Sequence, residues 1–423
     1  MEPVLTRNIA RGNLPTWIDA YGANGGYSAL RKAIGMSPDE IIQVVMDSEL
    51  KGRGGAGFPT GMKWKVMTPI ADSDRPRYLC CNFDEMEPGT FKDRFLVEGD
   101  PHQLIEGVAI AAYACRVDIA YIFVRDEYRR PQDILRRAIA EAESKGYVGE
   151  KVLGKDWGFE LRLHASAGRY MAGEETGLLN ALEGKPARPR SKPPYPGTSG
   201  LFGKPTVVQN VETLSCVPHI IERGADWFKS LGKAKDSGTK IYGASGRVNR
   251  PGAWELPMGT TMRELIEEHA GGMQDGYSFR GALPGGASTQ FLTGDECDLP
   301  LEFTALKEKG LFFGTGTAIV LDDKTCPVGI SRNLQMFFAR ESCGWCTPCR
   351  EGLPWLEGLL EDIEQGRGQA GDVDLLLDQA KYIGPHTYCA LAMGAVQPLI
   401  SAIHKFRDDF DAHITNKRCP YAG

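Results

Sequence analysis

Apolar residues recur with helical spacing through the first fifty positions. The pattern is clearest after Pro38, where Ile41, Ile42, Val44 and Val45 follow an acidic start at Asp39 and Glu40. A proline at the head of an apolar-periodic run, with acidic residues in its first turn, signals a helix start. The period then changes. Tyr78-Leu79-Cys80-Cys81-Asn82 is a short apolar run that predicts a buried strand, and Ile119–Val124 and Phe159–His164 predict two more, the last with alternation. Helical spacing over 101–116 and 131–145 separates these strands. Strands alternating with helices predict a mainly parallel α/β sheet.

A long proline- and glycine-rich stretch, 185–205, carries Lys192 and Tyr195, and loops of that length are usually functional or disordered. From about 238 the elements shorten. Strands at Lys240–Gly243 and Ala318–Leu321 flank one helix at Thr261–Glu268, which reads as a small α+β domain. From about 331 the pattern is helical again, at Leu334–Ala339, Leu353–Ile363, Val373–Tyr382 and Ala395–Phe406, and predicts a small bundle. The expected division is 1–50, 51–237, 238–330 and 331–423.

The 423 residues are 42% hydrophobic and 25% charged, ordinary globular values. A net charge of −6 gives no basic surface for nucleic acid. No apolar run is long enough to span a membrane, and no apolar signal-peptide core is expected at the N-terminus. Eleven cysteines, 51 glycines and 26 prolines suit a loop-rich intracellular redox protein.

Gly52, Gly54 and Gly57 in Lys51–Gly61 fit G-x-G-x-x-G, but the dinucleotide fingerprint needs a preceding strand, and a helix is predicted there. The loop still suits a phosphate. Glycines let backbone N–H groups converge on an anion, Arg53 can add a charge-assisted bond, and Lys63 follows. The bland alternative is a flexible turn. Asp84, Glu85 and Glu87 cluster where the first strand ends, the usual ligand edge of an α/β sheet, and Glu174 and Glu175 add two carboxylates. Such runs are often solvated loops; they can also bind a cation or accept bonds from ribose hydroxyls. Phe58 and Tyr195 are flat rings in glycine/proline loops, suited to the core or to stacking on a heteroaromatic. The seven histidines show no metal-ligand spacing and read as structural.

Cys343, Cys346 and Cys349 form C-x2-C-x2-C, and Cys389 lies far downstream. Three close thiolates plus a remote fourth suit three corners and the closing corner of a [4Fe–4S] cubane. Structural zinc more often uses two separated ligand pairs. The remaining cysteines, Cys326 and Cys419 among them, read as core or surface residues. Cys80 and Cys81 are neighbours on a strand and face opposite ways.

Lys51–Trp64, Asn82–Arg94, Ala167–Thr176, Lys204–Leu214 and Glu341–Arg350 together resemble the NADH-binding flavoprotein subunits of NADH:quinone oxidoreductase, respiratory complex I. The likeness runs over nearly the whole chain. Diaphorase parts of NAD-reducing hydrogenases and formate dehydrogenases are relatives that often carry fused modules; the short lead before the glycine loop favours the respiratory enzyme. The resemblance implies an α/β FMN-binding domain, a β-grasp-like (ubiquitin-like) middle domain and a helical bundle holding [4Fe–4S] on Cys343, Cys346, Cys349 and Cys389. FMN contacts would be Gly52, Arg53, Gly54, Gly55, Lys63, Asn82, Asp84, Tyr170, Gly173, Glu174, Asn210 and Thr213. NADH would lie among Phe58, Glu85, Glu87, Glu175, Lys192 and Tyr195, with Glu175 repelling the 2′-phosphate of NADPH. Hydride would pass to the flavin and electrons singly to the cluster, with Glu85 and Glu175 positioning rather than transferring protons. A [2Fe–2S] thioredoxin-like subunit and a large multi-cluster subunit are the implied partners, in a peripheral arm on the cytoplasmic side of the plasma membrane.

Phe83, Gln209 and Val66 depart from the family pattern, and Phe83 is expected to narrow the flavin pocket. A cluster-bearing relay subunit without nucleotide, and a zinc-stabilised interaction protein, are the alternatives from other classes.

Overall fold

The computed structural model describes residues 2–422 apart from 10, 11, 13, 69, 70, 72 and 73. Three short helices open the chain: α1 (Ile18–Ala23), α2 (Ser28–Ala33) and α3 (Pro38–Asp47). The last starts where the acidic, proline-led run predicts. Ser37 Oγ accepts the Glu40 N–H while the Glu40 carboxylate accepts the Ser37 N–H, a reciprocal cap that satisfies two otherwise orphaned donors.

Four strands follow: β1 (Tyr78–Phe83), β2 (Ile119–Val124), β3 (Glu160–Ala165) and β4 (Thr206–Asn210). They pair in parallel in the order β3-β2-β1-β4. Around them lie α4 (Thr60–Lys65), α5 (Lys92–Gly99), α6 (Pro101–Ala114), α7 (Arg129–Ser144), α8 (Glu175–Leu182), α9 (Val211–Arg223) and α10 (Ala225–Lys229). Strand alternation divides β1 between two cores. Leu79, Cys81 and Phe83 join Ile41, Val45, Trp64, Ile105 and Leu214 on one face, whereas Tyr78 and Cys80 join Phe123, Leu178 and Val208 on the other. The N-terminal helices are thus part of the α/β core and not a separate layer. Helices α6 and α9 approach so closely at Gly107 that a Cβ there would overlap the Leu214 carbonyl oxygen.

The middle region is a second sheet of β5 (Thr239–Ser245), β6 (Gly252–Pro257), β7 (Phe279–Leu283) and β8 (Thr317–Asp322), ordered β6-β5-β8-β7. Here β5 runs antiparallel to β6 and parallel to β8, and β7 runs antiparallel to β8. Helices α11 (Met262–Glu264) and α12 (Phe303–Glu308) accompany it. The helix expected over Thr261–Glu268 starts at a Thr261/Glu264 capping box but widens into a π turn over Leu265–His269. Tyr242, Met262, Leu292 and Phe313 form this region's own core.

The C-terminal bundle comprises α13 (Pro327–Glu341), α14 (Thr347–Glu364), α15 (Asp372–Ile383), α16 (Ala390–Lys405) and α17 (Arg407–Asn416). Its core of Leu353, Leu360, Leu376, Leu399 and Phe410 also takes in Met171 and Leu283, so the bundle packs against both sheets' regions. Strands β6 and β7, and α9 with Pro218 in its interior, are not foreshadowed by periodicity.

Candidate active site

The glycine loop joins α3 to α4, so no strand precedes it and the ordinary dinucleotide fingerprint does not apply. Gly52 N–H donates to the Phe58 carbonyl (2.8 Å) and closes the loop. Gly57 has φ +66°, and a Cβ there would stand 2.5 Å from the Phe303 ring, so both conformation and space require glycine. The Arg53 N–H donates to Thr213 Oγ1 (2.8 Å). The Arg53 side chain turns inward, is fully buried, and donates through Nη2 to the carbonyls of Ser237 (2.8 Å) and Thr239 (3.1 Å). Its Nε and Nη1 have no hydrogen-bond partner among the described residues. Gly52 and Arg53 amides are therefore committed to the protein, whereas those of Gly54 and Gly55 have no partner among the described residues. The arginine locks the loop from beneath.

The C-terminal ends of β1 and β4 face this loop. Asn82 Nδ2 donates to the Gly173 carbonyl (2.8 Å), and Asn82 Oδ1 accepts the Asp84 N–H (3.1 Å). Asp84 Oδ1 accepts the Ser166 hydroxyl (2.8 Å), but its Oδ2 is buried with no hydrogen-bond partner among the described residues. Burial pushes Asp84 up to about 7, against the lowering pull of the Ser166 bond. Asn210 closes β4 and caps α9 by accepting the Glu212 N–H (3.0 Å), while its Nδ2 donates to Asp93 Oδ2 (2.7 Å). Gly54 lies against it: a Cβ on Gly54 would stand 3.3 Å from Asn210 Cβ.

Glu174 caps α8, accepting the N–H groups of Thr176 and Gly177 at 2.8 Å each. Glu175 is bridged by two cations, Lys63 Nζ at 2.8 Å and Lys192 Nζ at 3.0 Å. Burial works to raise its carboxyl, but the two lysines outweigh that and hold it below the ordinary range. Lys63 also donates to the Val208 carbonyl (3.3 Å), so this cation–anion–cation chain ties α4, β4, α8 and the proline-rich loop together.

Glu85 is buried and turned to the start of α5, where it accepts the N–H groups of Asp93 (2.9 Å) and Arg94 (3.1 Å) and the Tyr128 hydroxyl (3.2 Å). Burial, aided by Asp93, pushes it up to about 7. Glu87 joins three regions: it accepts the Tyr170 hydroxyl (2.6 Å), the Ser288 N–H (2.6 Å) and the Ser288 hydroxyl (2.9 Å). The Tyr170 ring is edge-on to Phe337 at 5.2 Å. Phe58 and Tyr195 are 52% and 60% exposed. Phe83 does not narrow the site; it is fully buried in the main core, edge-on to Tyr128 at 5.6 Å.

Sequence reasoning passes over a buried ionic network beneath the loop. Lys92 Nζ reaches Asp93 (2.6 Å) and Glu212 (3.0 Å), and Lys240 Nζ donates to Glu212 (2.9 Å) with both side chains fully buried. Burial, helped by Lys92 and Arg53, outweighs the Glu212 bridge and brings Lys240 down to about 8. The pairing of Lys92 with Asp93, adjacent in sequence, is the only local hint of it.

The four cysteines of the sequence motif come together at helix starts. Cys343 lies in the α13–α14 link, Cys346 immediately precedes α14, Cys349 sits in its first turn, and Cys389 immediately precedes α16. All four are free thiols. Ser342 Oγ lies 3.1 Å from Cys349 Sγ, and the Tyr388 N–H donates to Cys346 Sγ (3.4 Å). Burial pushes the Cys389 thiol up to about 12, with Glu174, Cys343 and Cys349 adding to the rise. Thiols crowded this way become thiolates together only around a cationic centre, and the two helix N-termini aim their positive ends at such an anionic assembly. Trp345 and Tyr388, both about half exposed, stack beside the motif with centroids 5.6 Å apart.

Family models match three regions: the Nuo51 FMN-binding domain over 45–219, an SLBB domain over 243–292, and the NADH-ubiquinone oxidoreductase-F iron-sulfur binding region over 329–413. The NADH-quinone oxidoreductase subunit designated F in Salmonella typhimurium is 53% identical over 412 residues, covering 97% of this chain and 92% of the relative. Its counterpart designated F 2 in Rhizobium meliloti is 48% identical over 423 residues, 99% of each chain. Among solved structures, an air-oxidized NAD+-reducing [NiFe]-hydrogenase superposes with TM-score 0.84 at 34% identity, covering 98% of this chain and 67% of that one.

Proposed function

The chain belongs to the family of NADH-binding flavoprotein subunits of NADH-quinone oxidoreductase, and from that premise we propose how its residues divide the work. It oxidises NADH with FMN and a [4Fe–4S] cluster, as one subunit of a multi-subunit NADH-quinone oxidoreductase. FMN, when bound, supplies the two-electron acceptor for hydride and releases the electrons one at a time.

The protein's part is binding, orientation and electrostatics. The observation that carries the site assignment is the glycine loop at the end of the parallel sheet: the Gly54 and Gly55 amides have no partner among the described residues, and Gly54 lies against Asn210, the last residue of β4. Free backbone N–H groups in a glycine loop make an anion-binding concavity, so this loop fits a phosphate-bearing ligand such as FMN. Gly54, Gly55, Lys63, Asn82, Asp84, Gly173, Glu174 and Asn210 would line it. Gly52, Arg53 and Thr213 would fix the loop, and Tyr170 would close the side toward the bundle. Phe58 and Tyr195 would cover the nicotinamide nucleotide with their exposed rings. Glu175 and Lys192 would meet its ribose and phosphate groups, and the anionic Glu175 would disfavour NADPH. Glu85 and Glu87 would act from behind these groups, one anchoring α5 and the other the Tyr170–Ser288 joint. No proton needs to be exchanged with a side chain during hydride transfer.

The cluster ligands in this reading are Cys343, Cys346, Cys349 and Cys389. The working division of the chain is 51–237 for FMN and NADH, with 1–50 packed onto it, 238–330 as a β-grasp-like domain, and 331–423 for the cluster. The mixed strand order β6-β5-β8-β7, with α11 between β6 and β7, supports the β-grasp reading. Among the described residues no helix is long and apolar enough to cross a membrane. Attachment through a [2Fe–2S] thioredoxin-like subunit and a large multi-cluster subunit, in a peripheral arm on the cytoplasmic side, fits that fact. The exposed Trp345–Tyr388 pair beside Cys346 is the surface where an electron-accepting partner would dock.

An anaerobic optical titration with NADH tests the site. Bleaching of the flavin band at about one NADH per chain, the stoichiometry of a two-electron transfer, is expected. A bound flavin that stays oxidised through the titration would sink the nucleotide assignment.

A further inference from the structure

A second group of soft ligands lies at the opposite end of α13 and α14 from the cysteine motif. Cys326 immediately precedes α13, Glu364 ends α14, His413 lies in α17, and Cys419 follows it in the C-terminal tail. Their four ligand atoms all lie within 4.8 Å of one another. Cys326 Sγ is 3.3 Å from His413 Nε2 and 3.4 Å from Glu364 Oε2, and His413 Nε2 is 3.4 Å from Glu364 Oε2. We propose that Cys326, Glu364, His413 and Cys419 form a structural zinc site that staples the C-terminal tail to the base of the bundle.

Two features point to a metal. The first is spacing. Tetrahedral bonds to zinc of about 2.0–2.3 Å place neighbouring ligand atoms roughly 3.3–3.8 Å apart, and the three distances above fall there. The second is the orientation of the histidine. The Asp409 carbonyl lies 2.6 Å from His413 Nδ1 and accepts its proton, which turns Nε2 toward the sulfur of Cys326 and the carboxylate of Glu364. That carbonyl–imidazole pairing is the outer-shell support metal-bound histidines have.

The ligand chemistry selects the ion. Two thiolates and an imidazole suit zinc and exclude magnesium or calcium, which take oxygen ligands. Four protein ligands leave no open position, so the site is structural and not catalytic. Its location gives it a task. Helix α14, with 18 residues, is about 27 Å long at 1.5 Å per residue. The iron ligands Cys346 and Cys349 hold its first turn, and Glu364 is its last residue. The tail already lies against this end: a Cβ on Gly366 would overlap the Lys417 carbonyl group. Zinc would fix the far end of the helix that carries the cluster.

The test uses the full chain, expressed with zinc in the medium and isolated with its iron and flavin. Elemental analysis should find about one zinc per chain beside the cluster iron. Zinc-edge X-ray absorption, which iron does not obscure, should show two sulfurs near 2.3 Å and lighter atoms at about 2.0–2.1 Å. His413→Ala and Cys419→Ala should each lower zinc content at least tenfold. The tail variant C419A should keep its iron and flavin, which separates loss of zinc from loss of fold. Zinc absent from the wild-type chain, a zinc shell without sulfur, or undiminished zinc in both variants would each overturn the proposal.

Discussion

Asp84 and Glu175 show how two carboxylates at one sheet edge are set to opposite states. Two lysines hold Glu175 ionised, whereas burial with a single hydroxyl partner holds Asp84 up to about 7. The sign of the consequence for Asp84 follows from linkage. A carboxyl whose folded value is raised stabilises the fold fully below its unfolded value near 4 and loses that contribution as pH rises through about 7. In flavin-free protein, the melting temperature of wild type relative to Asp84→Asn should therefore fall between pH 4 and pH 8. A gap that stays constant over that range would mean the carboxyl titrates normally. Phe58 is a simpler case. If its exposed ring stacks on the nucleotide, Phe58→Ala should weaken NADH binding by roughly 0.5–1.5 kcal/mol beyond the lost area, measured by direct titration. An unchanged dissociation constant would remove Phe58 from the site. Both residues are legible as candidates in the sequence. What the sequence withholds is direction: Glu85 and Arg53 sit within the same motifs, yet one caps α5 and the other bonds to carbonyls of Ser237 and Thr239. Their partners lie too far along the chain, or depend too much on burial, for spacing to reveal.

Among the elements, periodicity recovers those that are long or carry their own start signals. Helix α3 announces itself through Pro38 and Glu40, and β2 and β3 through short apolar runs between helices. Strand β4 and helix α9 are hidden because Asn210 ends one and caps the other with no loop between them, and because Pro218 interrupts the helical pattern. The proline-rich stretch 185–205 is legible as functional by its length, but its order is not. Arg190 straps it. The guanidinium donates to Asn180 Oδ1 (2.9 Å) and the Gly200 carbonyl (2.8 Å) and pairs with Glu183 (2.8 Å). Arg190→Ala should free the strap and with it Lys192. Losing hydrogen bonds from a charged group costs about 1.5–3 kcal/mol each, so limited proteolysis within 185–205 should accelerate by tenfold or more, and KM for NADH should rise. A cleavage rate equal to wild type would show that the loop holds its shape without Arg190.

For the whole molecule, the decisive feature is that one carboxylate joins all three large regions. Glu87 follows β1, Ser288 belongs to the middle region, and Tyr170 packs its ring on Phe337 of α13, the helix leading to the cysteine motif. The ligand arrangement at the bundle's base is equally a property of the whole chain. Its members span Cys326 to Cys419, and no local motif signals a site whose ligands meet only when α13, α14, α17 and the tail have packed. The Glu87 joint can be probed by removing a single oxygen. Burial raises the Glu87 carboxyl, and the Tyr170 and Ser288 bonds oppose that rise. Tyr170→Phe keeps the ring packing on Phe337 but deletes the strongest-placed donor, so the folded-state value should climb further. A raised carboxyl costs stability above its folded value and not below its unfolded one. The destabilisation of Tyr170→Phe should therefore be larger at pH 8 than at pH 5, with about 1.5–3 kcal/mol lost where Glu87 is ionised. A loss equal at both pH values would assign it to packing alone. Flavin reduction by NADH in the variant should persist, because the hydroxyl lies at the joint between regions, while transfer to the cluster across that joint should slow.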